Sequence, residues 1–429
     1  MAGPAAVRFT GEYQRRIVDA ELDLLMPHLP AILLDGPKGV GKTSTATQRC
    51  ASERRLDHEA TRAVVAADPM LIAADARPLL LDEWHLVRPV WDVVRRLVDA
   101  DPTGGQFLLT GSLPDRQTHS GAGRITSIRM RPLTLPERGV DVPTVSLASL
   151  IAGSTAIGGR TAVGLDTYVD EMLAGGFPGL RHLPSRARNA ALDSYIQRIA
   201  DHDLPDAGHA VRHPSTVMAW LRAYAAAVGT TASWEKIRKA SVTATDANPA
   251  KSTTLPYIEL LTALRLLDPI PGWTPSLNHL RDLTETPKHY LADPALAARL
   301  VQRSATQLLS GDVPDTVVAR DGGFLGGLFE SLAALSVRVF AQHCDAMVHH
   351  LRTGGGRHEV DFIVESENGI IAVESKLAST ITDRDVQHLL WLRDRLGNRC
   401  IDTVVVHTGP EAYRRPDGVA VVPLALLGP

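Results

Sequence analysis

Two groups of residues have types and spacing that could do chemistry. The first is Gly36-Pro37-Lys38-Gly39-Val40-Gly41-Lys42-Thr43, followed by Ser44, which fits the spacing G-x-x-x-x-G-K-[ST]. Glycines at these places let the backbone curl until successive N–H groups point inward at an anion. A helix opening at Lys42 adds the positive end of its dipole. The Lys42 ammonium then reaches the β- and γ-phosphates of a nucleoside triphosphate, and the Thr43 hydroxyl holds Mg²⁺. The expected ligands are therefore ATP and Mg²⁺. Pro78-Leu79-Leu80-Leu81-Asp82-Glu83 supplies the complement, an apolar strand ending in two acids. Asp82 is expected in the magnesium shell, with Glu83 polarising the attacking water. A third apolar run, Phe107–Thr110, ends in Gly111-Ser112, which makes Thr110 or Ser112 a candidate sensor of the γ-phosphate. Arg124, in Gly121-Ala122-Gly123-Arg124, is a candidate arginine finger acting in cis or in trans.

The second group lies near the other end of the chain. Asp361 falls on one expected strand and Glu374-Ser375-Lys376 on the next. Alternation along a strand puts Glu374 and Lys376 on one face and Ser375 on the other. A hairpin brings Asp361 beside Glu374, and two such carboxylates bind Mg²⁺ while the lysine activates water or steadies charge. Glu330, on the preceding helix, is a third acid. The glycine-rich basic loop Arg352–His358 is either a contact for a phosphate backbone or a plain hairpin loop. His349-His350 is not expected to be a metal pair, because neighbouring strand residues face opposite ways. Trp220, Trp234, Trp273 and Trp391 are expected in cores or at domain contacts rather than under bases.

These residues need elements to position them. Ala31–Asp35, Pro78–Asp82 and Gln106–Thr110 alternate with helical patterns over Lys42–Arg54 and Pro89–Ala100. That rhythm predicts an α/β fold with a parallel sheet flanked by helices over residues 10–140. Residues 141–164, rich in small and polar types, are expected as a linker. Residues 165–320 read as a helical connector, with helices over Tyr168–Ala174, Arg186–Ile199, Ser215–Val228, Trp234–Ala240 and Thr254–Leu267, then a short strand around Pro287–Leu291. Leu255, Ile258, Leu261 and Leu264 form the expected core stripe of the last helix. Residues 321–429 read as helix, three strands, helix, strand, a small mixed α/β unit, with Asn368-Gly369 as a hairpin signal.

Length and charge narrow the classes further. A chain of 429 residues is too long for one core. A net charge of −3 gives no general attraction to nucleic acid or to an anionic membrane, so any nucleic-acid surface is a local patch. The three cysteines, Cys50, Cys344 and Cys400, form no C-x-x-C pair, which supports neither a disulfide scaffold nor a zinc ribbon. The first residues lack a basic stretch followed by an apolar one, and no run of apolar residues in the sequence reaches spanning length. The expected location is cytoplasmic, with no membrane partner.

Gly36–Thr43, Leu81-Asp82-Glu83-Trp84, Leu108–Ser112 and the Arg124 region resemble a prokaryotic family of AAA-type P-loop ATPases with a C-terminal domain of unknown function. Further matches lie in Gly175-Gly176-Phe177-Pro178, in Pro287-Lys288-His289-Tyr290 followed by Asp293, and in Gly327-Leu328-Phe329-Glu330. The chain departs from the family at His85, where glutamine is frequent; a histidine touching γ-phosphate or water there makes hydrolysis more sensitive to pH. The resemblance implies a winged-helix-like segment around Ser215–Tyr290. The order of elements over residues 321–429 resembles the PD-(D/E)xK nuclease superfamily, which implies Asp361 and Glu374 as metal ligands, Lys376 as catalytic and Glu330 as accessory. Two readings stay open. In one, ATP gates a metal-dependent domain acting on DNA or RNA. In the other, a regulatory ATPase holds a protein partner through a catalytically silent nuclease-like domain. Assembly into a homo-oligomer is compatible with both.

Overall fold

The computed structural model describes residues 13–111, 121–206, 214–241, 251–274, 286–310 and 323–429. Five parallel strands form the first sheet: β1 (Ala31–Asp35), β2 (Ser52–Arg55), β3 (Leu79–Asp82), β4 (Phe107–Gly111) and β5 (Ile125–Arg129), in the order β2-β3-β4-β1-β5. Its central strands are apolar throughout because both faces are covered. Leu79, Leu81, Phe107 and Leu109 pack with Trp84, Trp91 and Val94 on one side. Ile32, Leu34, Leu80 and Leu108 pack with Val18, Leu22, Val40 and Ala46 on the other.

One element differs from the expectation. The helix read over Lys42–Arg54 stops at Thr47, and Ser52–Arg55 becomes β2, paired in parallel with β3. Its sequence, Ser-Glu-Arg-Arg, carries no apolar signal. An edge strand tolerates charge because one side faces water.

The C-terminal sheet is mixed. It joins β7 (Gly159–Arg160), β8 (Met347–Arg352), β9 (Glu359–Ser366), β10 (Gly369–Lys376), β11 (Cys400–His407), β12 (Glu411–Arg414) and β13 (Ala420–Pro423) in the order β7-β12-β13-β11-β10-β9-β8. Phe362, Val364, Ile371 and Val373 face the helix Gly323–His343 through Leu328 and Leu332. Ile363, Ile370 and Ala372 face the helix Asp383–Leu396 through Val386, Leu389 and Leu392. The helix Gly323–His343 is long and apolar enough to cross a bilayer, yet 61% of its most apolar window is buried within this fold. Its composition follows from being covered on several sides.

Residues 141–164, expected as a linker, are built onto this sheet. β6 (Val145–Ser146) pairs in parallel with β14 (Leu427–Gly428), and β7 pairs with β12. Between them the helix Leu147–Ile151 buries Leu147, Leu150 and Ile151. Small polar residues hide such pairing, because a two-residue strand gives no periodicity.

The intervening region is helical: Leu165–Ala174, Ser185–Arg198, Pro214–Ala226, Trp234–Ala240 and Lys251–Ala263. A π-helical turn, Ile199–Asp203, continues the second of these. In the last, Leu260, Leu261 and Leu264 are buried, whereas Leu255 of the expected stripe is 45% exposed. Two antiparallel bridges follow, Leu267 with Leu291 and Ile270 with Lys288, and Gly272 bridges to His350 of β8. The segment 286–291 is thereby pinned between the helical region and the C-terminal sheet.

His350 sits at that seam with no solvent exposure. Its Nε2–H donates to Thr286 O at 2.9 Å. Burial, reinforced by the Lys288 charge, depresses its pKa to about 4. The unfolded chain, with an ordinary imidazole near pH 6.5, takes up the proton first, so stability falls as pH drops through that window. Between pH 7 and pH 5 this residue is expected to remove about 2 kcal/mol. Denaturant titrations at both pH values should show that loss in the wild type and a smaller one in His350→Gln, which keeps an N–H donor without the titration.

Candidate functional site

β1 ends at Asp35 and the loop Gly36–Gly41 turns into the helix Lys42–Thr47. Gly39 and Gly41 have φ of 75° and 104°, the left-handed region where a side chain is strained. Gly36 is required for a different reason: a Cβ there would lie 2.2 Å from Met130 O. Lys42 Nζ donates to Gly36 O at 2.8 Å and Pro37 O at 2.9 Å, folding back over the loop it is meant to serve. Burial lowers the ammonium to about 8, the nearby Glu83 and Asp35 offsetting part of that cost.

Thr43 Oγ1 donates to Asp82 Oδ1 at 2.7 Å, and the Thr110 hydroxyl donates to the same oxygen. The parallel register places Asp82 directly beside Thr110. A hydroxyl and a carboxylate at this spacing form the hard-oxygen set that suits Mg²⁺. Glu83, one residue past β3, takes φ 55° and ψ 44°. That conformation costs on the order of 1–2 kcal/mol for a non-glycine residue, and turns Glu83 towards Lys42. Burial raises the Glu83 carboxyl above its ordinary range, with Lys42 pulling the other way. His85 Nδ1 lies 3.5 Å from Glu83 Oε2, so the unusual histidine addresses the acid.

These groups line one cavity of about 850 Å³. Lys38, Gly39, Gly41, Lys42, Thr43, Ser44, Glu83 and His85 form its floor, while Leu133, Pro178, Gly179 and His182 face them. Lys38 Nζ binds Asp203 Oδ1 at 2.6 Å, and Tyr195 Oη donates to Lys38 O at 3.3 Å. The loop tip is thus tied to the helical region. Beneath it, Arg16 donates to Val40 O, Arg131 O and Glu137 Oε1 at 3.0, 2.8 and 2.8 Å. Sequence reasoning missed Arg16, Asp203 and His182, because none has a local pattern; the Gly-Gly-Phe-Pro motif alone hinted at the far wall.

Ser112 lies outside the described residues. Arg124 is a correction for the in-cis role. It precedes β5, whose Ile125 pairs with Ala31 at the start of β1, and so sits at the sheet edge opposite the phosphate loop. Its Nε is held by Asp99 Oδ1 at 2.6 Å. The arginine at the correct edge is Arg129, which ends β5 beside Asp35.

Arg129 belongs to a buried ionic joint. Asp268 Oδ2 accepts from Arg131 Nε at 2.9 Å, and its other oxygen lies 3.0 Å from Arg338 and 3.7 Å from Arg129. Burial opposes ionisation of Asp268, but the arginines outweigh it and hold the carboxyl well below the usual range. Asp35 is bound by Arg265, Nε at 2.7 Å and Nη2 at 2.5 Å. Arg265 has φ 64°, another strained residue at a contact between regions.

The second constellation assembles around an unexpected residue. Lys288, 1% exposed, places Nζ 2.6 Å from Asp361 Oδ1, 2.7 Å from Glu330 Oε1 and 3.4 Å from Glu359 Oε1. Asp361 Oδ2 accepts from Ser375 N at 2.8 Å, and the Tyr290 hydroxyl donates to Glu330. Lys376 Nζ binds Glu374 Oε1 at 2.7 Å, leaving Glu374 Oε2 buried without a hydrogen-bond partner. Burial works against Asp361, yet Lys288 lowers its carboxyl. Burial raises Glu330 to about 7 and Glu374 to about 8, the Asp361 charge adding to both. The four residues expected from sequence, Glu330, Asp361, Glu374 and Lys376, do converge. However, among the described residues no three acidic, histidine or cysteine side chains form a group fit to hold a metal ion.

Gly36→Ala should cost about 1–3 kcal/mol, because its methyl meets a backbone carbonyl that cannot rotate away. Equilibrium unfolding monitored by tryptophan fluorescence measures this directly.

Residues 28–138 match the family described as AAA domain. Residues 165–307 and 325–427 match two further families, each described as a domain of unknown function (DUF8612 and DUF4143). Uncharacterized proteins of Mycobacterium tuberculosis and Mycobacterium bovis are each 28% identical over 305 residues, 67% of this chain and 60% of theirs. The similarity therefore spans about 60% of the length of these curated relatives. A Walker-type ATPase of Pyrococcus abyssi superposes with a TM-score of 0.37 at 15% identity, over 66% of this chain and 94% of that one. With its phosphate-loop motif and the family match together, residues 28–138 are an AAA domain of the P-loop ATPase type.

Proposed function

We propose that the protein is a Mg²⁺-dependent ATPase whose nucleotide state controls its C-terminal α/β region. One observation carries this reading. Lys42, Thr43, Asp82 and Glu83 meet at the mouth of a cavity whose far wall, Pro178, Gly179 and His182, belongs to the helical region. A ligand filling that cavity touches both bodies at once.

Lys42 exchanges the Gly36 and Pro37 carbonyls for phosphate oxygens, trading neutral acceptors for charged ones. Mg²⁺, held through Thr43 and Asp82, supplies charge neutralisation between the β- and γ-phosphates. Glu83, its carboxyl raised by burial, orients the water and accepts its proton, with His85 beside it. Ser112 remains the proposed γ-phosphate contact. Arg124 remains a candidate finger only in trans, which requires a homo-oligomer.

The reading of residues 321–429 as nuclease-like rests on the gathering of Asp361, Glu374, Lys376 and Glu330 on and beside one sheet. It implies action on DNA or RNA. The alternative, capture of a protein partner by a silent domain, is favoured by the Lys288 ammonium already seated among the acids.

Lys42→Ala is expected to weaken ATP binding about a hundredfold or more by calorimetry with Mg²⁺ present. Glu83→Gln should retain binding and slow phosphate release about 10²–10⁴-fold. Native protein showing no affinity for ATP would sink the reading. For the C-terminal region, nucleic acids incubated with protein, ATP and Mn²⁺ should be cut by the wild type and spared by Glu374→Ala. Intact substrates throughout, with ATP turnover preserved, select the silent domain.

A further inference from the structure

We propose that Lys288 is a built-in cation occupying the place of a divalent metal, so that the acid cluster of Glu330, Asp361 and Glu374 takes Mg²⁺ or Mn²⁺ only when the segment 286–291 withdraws. This inference rests on the nuclease-like reading of the C-terminal region and says how that site is regulated.

The geometry supports it in three ways. The ammonium has three protons and meets three carboxylates, from Asp361, Glu330 and Glu359. It therefore satisfies the acids electrostatically, and a +2 ion alongside it would be repelled. Next, the lysine does not come from the sheet that carries the acids. It comes from the segment bridged to Ile270 and Leu267 in the helical region. The same segment clamps Glu330 a second time through Tyr290. Finally, the cluster is incomplete as it stands. Glu374 Oε2 is buried with no hydrogen-bond partner, although its other oxygen is held by Lys376. A buried carboxylate oxygen without a donor is costly, and a cation is the partner it lacks.

The path from the nucleotide cavity to Lys288 is short. Asp35, which precedes the phosphate loop, holds Arg265. Leu267 and Ile270 follow within five residues and pair with Leu291 and Lys288. A displacement of Arg265 moves the strand that presents the lysine.

The test uses the full chain without nucleotide, with Mn²⁺ as the probe. Lys288→Ala and Lys288→Gln are titrated with Mn²⁺ by calorimetry and by its paramagnetic resonance signal. Both variants carry Lys42→Ala to remove any contribution from the phosphate loop. Each should bind one Mn²⁺ at least about tenfold more tightly than the same background with Lys288 intact, and adding Asp361→Asn should abolish the gain. Folded variant recovered only when Mn²⁺ is present also supports the proposal. Equal Mn²⁺ affinity with and without Lys288 overturns it. So does failure of both variants to fold whether or not Mn²⁺ is supplied, because the acids would then need the ammonium itself. Mn²⁺ binding without cleavage of any nucleic acid leaves the latent site standing and removes only the nuclease reading.

Discussion

Asp268 accepts the charge of three arginines, and the arrangement of the chain depends on that contact. Arg129 and Arg131 come from the end of the nucleotide sheet, and Arg338 comes from the core helix of the C-terminal region. Gln342 of that helix reinforces the same seam, donating to Arg129 O at 2.8 Å and to Glu21 at 2.7 Å. Removing one partner from such a buried group strands the others and costs about 3–5 kcal/mol. Arginine cannot escape by losing its proton within any ordinary pH range. The joint is therefore a fixed point. Motion that begins at the nucleotide must pass around it, through contacts that break more cheaply. Lys38 with Asp203 is one, because the lysine is 46% exposed and water can replace the acid. Asp35 with Arg265 is the other, on the side that leads to Lys288.

How much of this was legible in the sequence follows from how local each signal is. The phosphate loop was readable because the glycines, the lysine and the hydroxyl lie in eight consecutive residues, and their spacing is itself the geometry. Asp82 and Glu83 were readable because a strand buried on both faces cannot end in two acids without a reason at its edge. Arg124 was misplaced because β5 went unrecognised. Ile125-Thr126-Ser127-Ile128 is half polar, and without the strand nothing says which edge of the sheet its neighbour occupies. In a parallel sheet the ligand edge is the carboxyl edge, so one missed strand reversed the assignment.

Lys288 illustrates the opposite case. The motif Pro287–Tyr290 stood out, yet no local rule gave it work, since its partner Asp361 lies 73 residues further on. The acids were found by alternation along two adjacent strands, which is short-range information. Their counter-ion was not, because it is a tertiary fact. The same holds for Arg16, whose three bonds reach positions 24, 115 and 121 residues away. Buried cations of this kind have to be sought by asking which carboxylates are still unpaired once the strands are placed.

Two buried lysines then define what nucleotide energy has to do. Lys42 rests on neutral carbonyls, and a phosphate is a better partner, so its exchange runs downhill when ligand arrives. Lys288 rests on carboxylates, and nothing in the helical region offers an equal seat. Leaving costs on the order of 3–5 kcal/mol unless another cation follows it in. A ligand shifts such an equilibrium only by its difference in affinity for the two states. That cost corresponds to a preference of about 10²–10⁴-fold. The nucleotide alone is asked to supply the whole factor if the acids are left bare. If a divalent ion takes the vacated place, the two ligands share it, and neither opens the site efficiently without the other. The arrangement behaves as a conjunction: nucleotide at one end of the Arg265 strand, metal at the other.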